Sequence, residues 1–250
     1  WLFYIPVVLH ILYLSIKYRS STLFTAVNPG IPDGGFVGES KSEILSKLTG
    51  AGGFLARFWT VDQDGEGNKE RVLGLMREHN LDFPIVLKPD VGERGAGVTI
   101  VRSTDQIDGY FERDPGRSIL QEYAPGDEFG VFYVRQPSER VGRIFSVTEK
   151  QFPAVSGDGQ RTVEQLILDD DRAVSMAKFH LDEHQELLFE VLPDGQDFSL
   201  VELGTHCRGA LFIDGSHVVT PQLEARIDEV SKAFEGFYFG RFDIRTSSIE

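Results

Sequence analysis

Residues 83–101 limit the possible folds of this chain more than any other segment, because two short apolar runs, residues 83–87 and residues 98–101, flank a glycine-rich stretch. Lys88 follows the first run at once. Three glycines come next: Gly92, Gly95 and Gly97. Such runs on either side of glycines are typical of paired strands. Glycine lets the backbone approach an anion and present N–H groups to it, and a lysine adds a point charge. The segment therefore predicts a hairpin that can cover an anion.

Two better-known phosphate loops do not fit this segment. It lacks the G-x-x-x-x-G-K-[ST] pattern of a Walker A loop, and no helix follows it directly, which also excludes a Rossmann G-x-G-x-x-G turn. A tight turn without any ligand stays an open alternative when the hairpin is taken alone.

Composition limits the class of protein. The 250 residues include 25 Lys+Arg and 39 Asp+Glu, a formal net charge of −14. A chain that binds nucleic acid would show a basic footprint, so we expect no nucleic-acid partner. A few well-placed cations can still dominate a cleft. The single cysteine, Cys207, allows no intrachain disulfide, which fits a cytoplasmic, reducing compartment.

The first residues are the most apolar stretch of the chain. Residues 1–16 carry no charge, and Lys17 and Arg19 follow, as they would beside an anionic membrane face. The uncharged run is shorter than the roughly 18–20 residues that span a bilayer. We favour a buried or docking helix. Two alternatives stay open: a membrane-associated helix, with peripheral contact through residues 1–19 at the inner face, and a signal-peptide remnant.

Periodicity predicts an α+β chain with largely antiparallel sheets and not a doubly wound Rossmann sheet. The predicted strands cover residues 83–87, 98–101, 118–123, 129–135, 143–148, 187–192 and 198–203. One predicted helix begins at Ser40, and a second ends near residues 79–80. Three more cover residues 106–111, 162–178 and 220–237. Ser40 and Glu43, and also Thr162 and Gln165, have the spacing of a capping box.

Several motifs occur together in one order along the chain. They are Glu39-Ser40-Lys41 ahead of a helix, Lys88-Pro89 with its glycine loop, the segment from Gln121 to Glu128, and Arg241-Phe242-Asp243. This set resembles the ATP-grasp superfamily, in particular D-alanine–D-alanine ligases and RimK-type carboxylate–amine ligases. The resemblance implies two α+β subdomains that sandwich ATP, residues 39–123 and residues 124–250, preceded by an apolar segment over residues 1–38.

The resemblance also implies which residues bind ATP. The phosphates would lie against these side chains and loop positions: Lys41, Lys88, Gly92, Arg94, Gly95 and Gly97. Glu122 and the backbone of Tyr123 and Ala124 would face adenine. Glu128 would accept the ribose hydroxyls.

Three cations and a metal would surround the reacting groups. Arg241 is implied to contact the transferred phosphoryl group, Lys150 the γ-phosphate, and Arg208 a phosphate or the substrate carboxylate. For Lys150, a solvent-exposed strand end is an equal alternative. Asp243 is implied to hold Mg²⁺, whereas the family's later Glu-x-Asn ligands have no counterpart before Glu250, a weak substitute. Since the chain also begins without Met, we expect a piece of a longer protein.

The activity implied by the resemblance is an ATP- and Mg²⁺-dependent, ADP-forming ligase. It would join a small-molecule or peptide carboxylate to an amine, or to a thiol, through an acyl phosphate. Two alternatives stay open. One is an ATP-dependent phosphotransferase on the same fold, and the other is a noncatalytic nucleotide-binding module at the membrane.

Overall fold

The computed structural model describes residues 2–35, 38–62, 67–93, 95–113, 115–204 and 208–248. Its helices are α1 (Ile5–Tyr18), α2 (Lys41–Lys47), α3 (Asn68–His79), α4 (Asp105–Phe111), α5 (Val163–Asp169), α6 (Ala177–Glu183) and α7 (Pro221–Ala233). Its strands are β1 (Phe58–Val61), β2 (Ile85–Pro89), β3 (Thr99–Val101), β4 (Ser118–Glu122), β5 (Asp127–Val134), β6 (Arg143–Gln151), β7 (Ala154–Ser156), β8 (Asp197–Ser199), β9 (Leu211–Asp214) and β10 (Phe239–Thr246). The described strands pair antiparallel, in two four-stranded sheets and one two-stranded sheet, which confirms the predicted α+β class.

The first sheet has the strand order β1–β4–β2–β3. Because side chains alternate along a strand, Ile85, Leu87 and Leu120 enter one core with helices α3 and α4. The opposite face of β2 and β4 carries Lys88 and Gln121. The core therefore fixes the direction in which these two polar side chains point.

The second sheet has the strand order β10–β5–β6–β9. One face is apolar, and Val131 on it packs with Ile227 of helix α7. The strand register places Glu128 opposite Lys150 on one side and opposite Arg245 on the other. The face away from α7 therefore carries charged residues from three neighbouring strands. The distribution of strands between the two sheets supports, as a proposal, a subdomain boundary between residues 123 and 124.

The segment between α1 and β1 is attached to both sheets. The side chain of Asn28 is buried, donates to the Phe239 carbonyl at 2.7 Å, and accepts from the N–H groups of Tyr238 and Phe239 at 2.8 and 3.0 Å. These bonds fix the start of β10. Helix α2 begins beside β2, where the Ser42 N–H donates to the Asp90 carboxylate at 2.7 Å.

The predicted helix over residues 162–178 is wrong as a single element. Helix α5 opens with the predicted capping box, but its C-cap residue, Asp170, has an extended backbone. The Asp170 carboxylate accepts from the N–H groups of Arg172 and Ala173 at 3.0 and 2.7 Å. Such local side-chain bonds compete with helical backbone bonds, so the chain turns and α6 starts separately.

Strand predictions are confirmed in the two large sheets and fail elsewhere. Residues 187–192 do not form a strand: residues 187–189 are turn, with backbone bonds of 2.9 and 3.0 Å that close at Leu187 and Glu190, and Val191 makes only an isolated antiparallel bridge to Thr162. The strand predicted at residues 198–203 is the short Asp197–Ser199. The sequence does not predict β1, β7 or β9, since runs of three or four residues show too little periodicity.

Helix α1 is exposed along its length. None of its residues is buried, and Leu9 and Ile16 are 61% and 79% exposed. The expectation of a buried helix is therefore wrong for α1. Within the described ranges, no helix combines the length and the hydropathy needed to cross a bilayer.

Candidate functional site

Lys88 lies near the end of β2, on the face of the first sheet that points away from the core. Its Nζ donates to Oε1 of Gln121 on the neighbouring strand β4 at 2.6 Å. Burial, reinforced by the positive charge of Lys41, lowers the pKa of Lys88 to about 8. A desolvated cation that is held by a neutral amide is strongly attracted to an approaching anion.

Asp90 joins the base of the hairpin to helix α2. Its carboxylate accepts from the Ser42 N–H and the Ser40 hydroxyl at 2.7 and 2.9 Å. Burial acts to raise the pKa of Asp90, but these hydrogen bonds outweigh it and hold that pKa below its usual value. Lys41, between the two serines, donates from Nζ to the Gly92 carbonyl at 2.7 Å. The two lysines predicted to bind phosphate thus meet at one hairpin.

The hairpin loop requires glycine for a geometric reason. Gly97 has a φ of +71°, and a Cβ there would lie 2.7 Å from Cγ of Pro89. Gly92 and Gly95 also have positive φ. The loop can therefore turn back over the end of β2. Arg94, a predicted phosphate contact, lies outside the described residues.

The second sheet presents an ion-pair cluster on its face away from α7. Nζ of Lys150 lies 2.5 Å from Oε1 of Glu128 and 3.0 Å from Oδ1 of Asp243. Nε of Arg241 lies 3.1 Å from the same Oδ1. The Lys150 side chain is 3% exposed, so the alternative of a solvent-exposed strand end is wrong. The structure thus brings together four of the predicted site residues on this sheet: Lys150, Arg241, Glu128 and Asp243.

Glu128 is held from both sides. Its Oε2 accepts from Nε and Nη2 of Arg245 at 3.2 and 3.0 Å, and from the Gly204 N–H at 3.4 Å. Burial acts to raise the pKa of Glu128, but the hydrogen bonds from Lys150 and Arg245 outweigh it and keep that pKa below its usual value. A side chain at Gly204 would collide with this arrangement, since its Cβ would lie 2.6 Å from Cδ of Lys150. The carboxylate is therefore ionised at neutral pH and rigidly held.

The connection between the sheets carries the predicted adenine contacts. Arg57 holds the Glu122 carboxylate by two bonds of 2.9 and 3.0 Å, and these bonds lower the pKa of Glu122. Alternation along β4 places this carboxylate on the face opposite Gln121. An adenine contact from Glu122 would therefore come from its backbone, as is predicted for Tyr123 and Ala124.

Contacts from the first sheet reach the charged face of the second. The Tyr123 ring centre lies 5.8 Å from the guanidinium carbon of Arg245. Arg102, directly after β3, pairs with Glu202, and the Glu202 carbonyl accepts a hydrogen bond from Arg245. These contacts place the connection after β4 and the end of β3 beside Arg245, at the Glu128 end of the ion-pair cluster.

Two further predictions concern Arg208, as the cation that contacts the substrate, and Asp243, as the metal ligand. The Arg208 guanidinium lies 5.9 Å from the Phe179 ring centre. In the described part of the chain, no group of three His, Cys, Asp or Glu side chains could hold a metal ion. Proteins usually bind Mg²⁺ with one or two carboxylates plus substrate phosphates. Because the Asp243 side chain is half exposed, this residue alone still fits such a site. Glu250 lies outside the described residues.

Sequence reasoning assigned no role to three residues that hold the site together: Asp90, Gln121 and Arg245. Arg245 had a usable signal, because it lies two positions after Asp243 on the same strand and so shares its face. Gln121 faces the hairpin lysine only because β2 pairs with β4, which the sequence does not show. The partners of Asp90 lie in a distant segment, and no local pattern connects them.

Comparison with known proteins gives matches to synthetases over part of the chain. No protein-family model matches the sequence. Over 124 residues, which is 48% of this chain, it is 31% identical to cyanophycin synthetase from Nostoc sp. and 30% identical to cyanophycin synthetase from Trichormus variabilis. The chain spans only 13% of the length of these curated relatives.

Solved structures similar to the chain include ligases. The D-Ala:D-Ser ligase VanG from Enterococcus faecalis is 17% identical, with a TM-score of 0.48, and the match covers 82% of this chain and 48% of that one. The ATP-grasp ligase PsnB, complexed with a minimal precursor, is 13% identical, with a TM-score of 0.43 and coverage of 83% and 48%. The order of the motifs given above resembles the ATP-grasp superfamily, and an ATP-grasp ligase is among these similar structures.

Proposed function

We propose that the chain carries the nucleotide-binding and catalytic residues of an ATP-dependent ligase that joins a carboxylate to an amine. The observation that carries the proposal is the ion-pair cluster, in which Lys150 and Arg241 meet Asp243 at 3.0 and 3.1 Å. Cations and carboxylates that converge on one face of a sheet suit a polyphosphate and its metal. The local match to cyanophycin synthetase supports the same class of enzyme. A cytoplasmic location is part of the proposal.

ATP would lie between the sheets with its phosphates under the hairpin. Lys88 and Lys41 supply positive charge from the first sheet, and the glycine loop supplies N–H groups. The connection after β4 would border adenine. Glu128, on the second sheet, would accept a ribose hydroxyl.

The reaction would proceed in two displacements. An oxygen of the substrate carboxylate attacks the γ-phosphorus, the bond from that phosphorus to the bridging oxygen of ADP breaks, and an acyl phosphate forms. The amine nitrogen then attacks the acyl carbon, phosphate leaves with the bonding electron pair, and the amine proton passes to solvent. A thiol could replace the amine in the second displacement.

The side chains of the cluster would act on the charge of the transferred group. Arg241 and Lys150 stabilise the negative charge on its oxygens, and removal of one such preorganised donor typically costs roughly 3–4 kcal/mol of barrier. Mg²⁺, when bound at Asp243, neutralises charge on the ATP phosphates.

The transfer of an oxygen atom from the substrate carboxylate to the released phosphate tests this proposal. The protein is mixed with ATP, Mg²⁺, hydroxylamine and a panel of carboxylates that carry heavy oxygen, covering amino acids, dicarboxylates, and aryl and alkyl acids. A ligase gives a hydroxamate, and heavy oxygen appears in the released phosphate. Lys150→Ala should abolish both signals, whereas Lys178→Ala, in a side chain that is 90% exposed, should leave them unchanged.

Other outcomes would assign the chain to another class. A phosphorylated substrate that persists, with no hydroxamate, would indicate a phosphotransferase. ATP binding without cleavage, whatever carboxylate is present, would indicate a noncatalytic nucleotide-binding module. Either result would contradict the ligase proposal.

We also propose that α1 contacts an anionic lipid surface peripherally. His10 and Lys17 are seven residues apart and so share one side of the helix, while the other positions are mostly apolar, which suits a helix that lies in a lipid interface. All 39 acidic residues lie beyond residue 32, whereas Lys17 and Arg19 stand at the end of α1. These cations match anionic headgroups.

Vesicle sedimentation tests the lipid contact. The protein should co-sediment with phosphatidylglycerol vesicles more than with phosphatidylcholine vesicles, and Leu9→Glu should abolish the binding. A Leu23→Glu control, just outside α1, should have a smaller effect. Equal sedimentation of the wild type and Leu9→Glu would overturn the lipid contact and leave the ligase proposal unaffected.

A further inference from the structure

Three aromatic side chains form an exposed patch on the second sheet, here called the aromatic patch: Phe132, Phe145 and Phe239. The ring centre of Phe132 lies 4.8 Å from that of Phe239 and 6.1 Å from that of Phe145, in edge-to-face geometry. Phe145 is 69% exposed and Phe239 is 43% exposed. Clustered, exposed apolar side chains often mark a binding site.

The aromatic patch continues the ion-pair cluster along the same face of the sheet. Phe239, Arg241 and Asp243 occupy alternate positions on β10 and so point to one side, away from Phe242, which packs against the core. Phe132 on β5 is the register partner of Arg241. Two residues of a strand rise about 7 Å, so the patch begins within one small molecule's length of Arg241.

An irregularity in β6 turns Phe145 onto this face. The register between β5 and β6 shifts, so that Phe132 pairs with Ser146 while Tyr133 pairs with Ile144. Phe145 is the extra residue, and because Ile144 packs on the core side, Phe145 points to the aromatic patch. Bulges of this kind are frequent beside active sites, where they redirect a side chain.

We propose that the aromatic patch binds an aryl or branched alkyl group of the substrate carboxylate, while the carboxylate itself lies at Arg241. The inference rests on the proposed ligase function and names its substrate class. The order of residues along the face supports it. Glu128 lies at the proposed ribose end, Asp243 and Arg241 mark the reacting groups, and the patch lies beyond them. The polar groups of ATP end at the γ-phosphate, so an apolar surface farther on suits the other reactant.

The aromatic patch is also rigidly mounted. Asn28 binds both the carbonyl and the N–H of Phe239, at 2.7 and 3.0 Å. Rigid aromatic rings offer apolar contact area at a low cost in conformational entropy. A preformed surface of this kind can select a substrate by shape and hydrophobicity.

Fluorine NMR tests the inference directly. The protein is labelled with para-fluorophenylalanine, and the Phe145 and Phe239 resonances are assigned with Phe145→Leu and Phe239→Leu. Hydrocinnamate, isocaproate and succinate are then titrated in the presence of a nonhydrolysable ATP analogue. The two apolar acids should shift both resonances and saturate, and succinate should not. Phe145→Ser should weaken hydrocinnamate binding by about tenfold, because part of the ligand's phenyl ring would then stay in water, whereas Phe189→Ser, at a residue 80% exposed, should not change it.

Several results would overturn the inference. These are the absence of shifts with both apolar acids, equal shifts with succinate, or shifts that depend only on protein concentration, as self-association would give. The proposed function has its own readout. If succinate or an amino acid yields labelled phosphate equally in the wild type and in Phe145→Ser, the ligase stands and the substrate class is wrong. If hydrocinnamate binds at the patch but no carboxylate yields labelled phosphate, the ligase proposal fails instead.

Discussion

The two sheets hold their cations in different ways. On the first sheet, Lys88 donates to a neutral side-chain amide, and Lys41 of the adjoining helix α2 donates to backbone carbonyls. On the second sheet, Lys150 lies between two carboxylates, Glu128 and Asp243. The hydrogen bonds described for Lys88 and Lys41 thus go to neutral acceptors, whereas Lys150 on the second sheet is already paired with carboxylates.

If the proposed function is right, this difference would give two ways of binding one nucleotide. A buried cation with a neutral acceptor keeps its attraction for an anion, but a cation between carboxylates must exchange partners. We infer that the first sheet is preorganised for phosphate. On the second sheet, Lys150 would pass from Glu128 to a phosphate, and the freed carboxylate oxygen would accept a ribose hydroxyl.

The largest effect is expected from the loss of the preorganised cation. Lys88→Ala should lower kcat/KM for ATP by about a thousandfold, or roughly 4 kcal/mol, because it removes the buried cation that Gln121 holds at the end of β2. Phosphate-release kinetics measure this loss, and calorimetry should show weaker ATP binding. Lys178→Ala is the matched control and should behave as wild type. Normal affinity and turnover in Lys88→Ala would remove the phosphate role of the hairpin.

A smaller effect should follow when the first sheet is made to resemble the second. Gln121→Glu places a carboxylate beside Lys88, raises the pKa of that lysine and opposes the ATP phosphates, so ATP should bind about tenfold more weakly, or about 1.4 kcal/mol. Gln121→Met removes the hydrogen bond without adding charge and should weaken binding less. If both variants bind ATP alike, the neutrality of the Lys88 partner is unimportant.

The effect of pH on ATP affinity should be smaller still. The pKa of Lys88 is about 8 in the free protein, and phosphate binding favours the charged form. ATP affinity should therefore be nearly constant below neutral pH and fall about fivefold from pH 8 to pH 9. Lys88→Arg stays charged over this range and should remove the decline. The same decline in wild type and Lys88→Arg would assign the titration to another group.

Much of the candidate site could be predicted because its signals are local. Lys88 follows an apolar run and precedes glycines, and Asp243 and Arg241 share one face of a strand by alternation alone. The ion-pair cluster then follows once β10, β5 and β6 lie side by side. A resemblance supplied that arrangement, and periodicity could not have supplied it.

The failures have physical causes that a single sequence hides. The pattern over residues 162–178 is helical throughout, but the Asp170 side chain captures backbone N–H groups and ends α5. The adenine contact of Glu122 stays a prediction, but strand alternation directs its carboxylate to Arg57, so that contact would come from the backbone. Contacts between distant segments, such as Gln121 with Lys88, depend on strand pairing and have no local signature.

The most direct test of the account is a comparison of ATP and dATP binding in three proteins: the wild type, Lys88→Ala and Glu128→Ala. If the first sheet binds phosphate and the second binds ribose, the wild type should prefer ATP by about tenfold or more, since a hydrogen bond to a charged group contributes roughly 1.5–3 kcal/mol. Lys88→Ala should weaken both nucleotides and keep that preference, whereas Glu128→Ala should erase it. An equal preference in the wild type and Glu128→Ala would contradict the account.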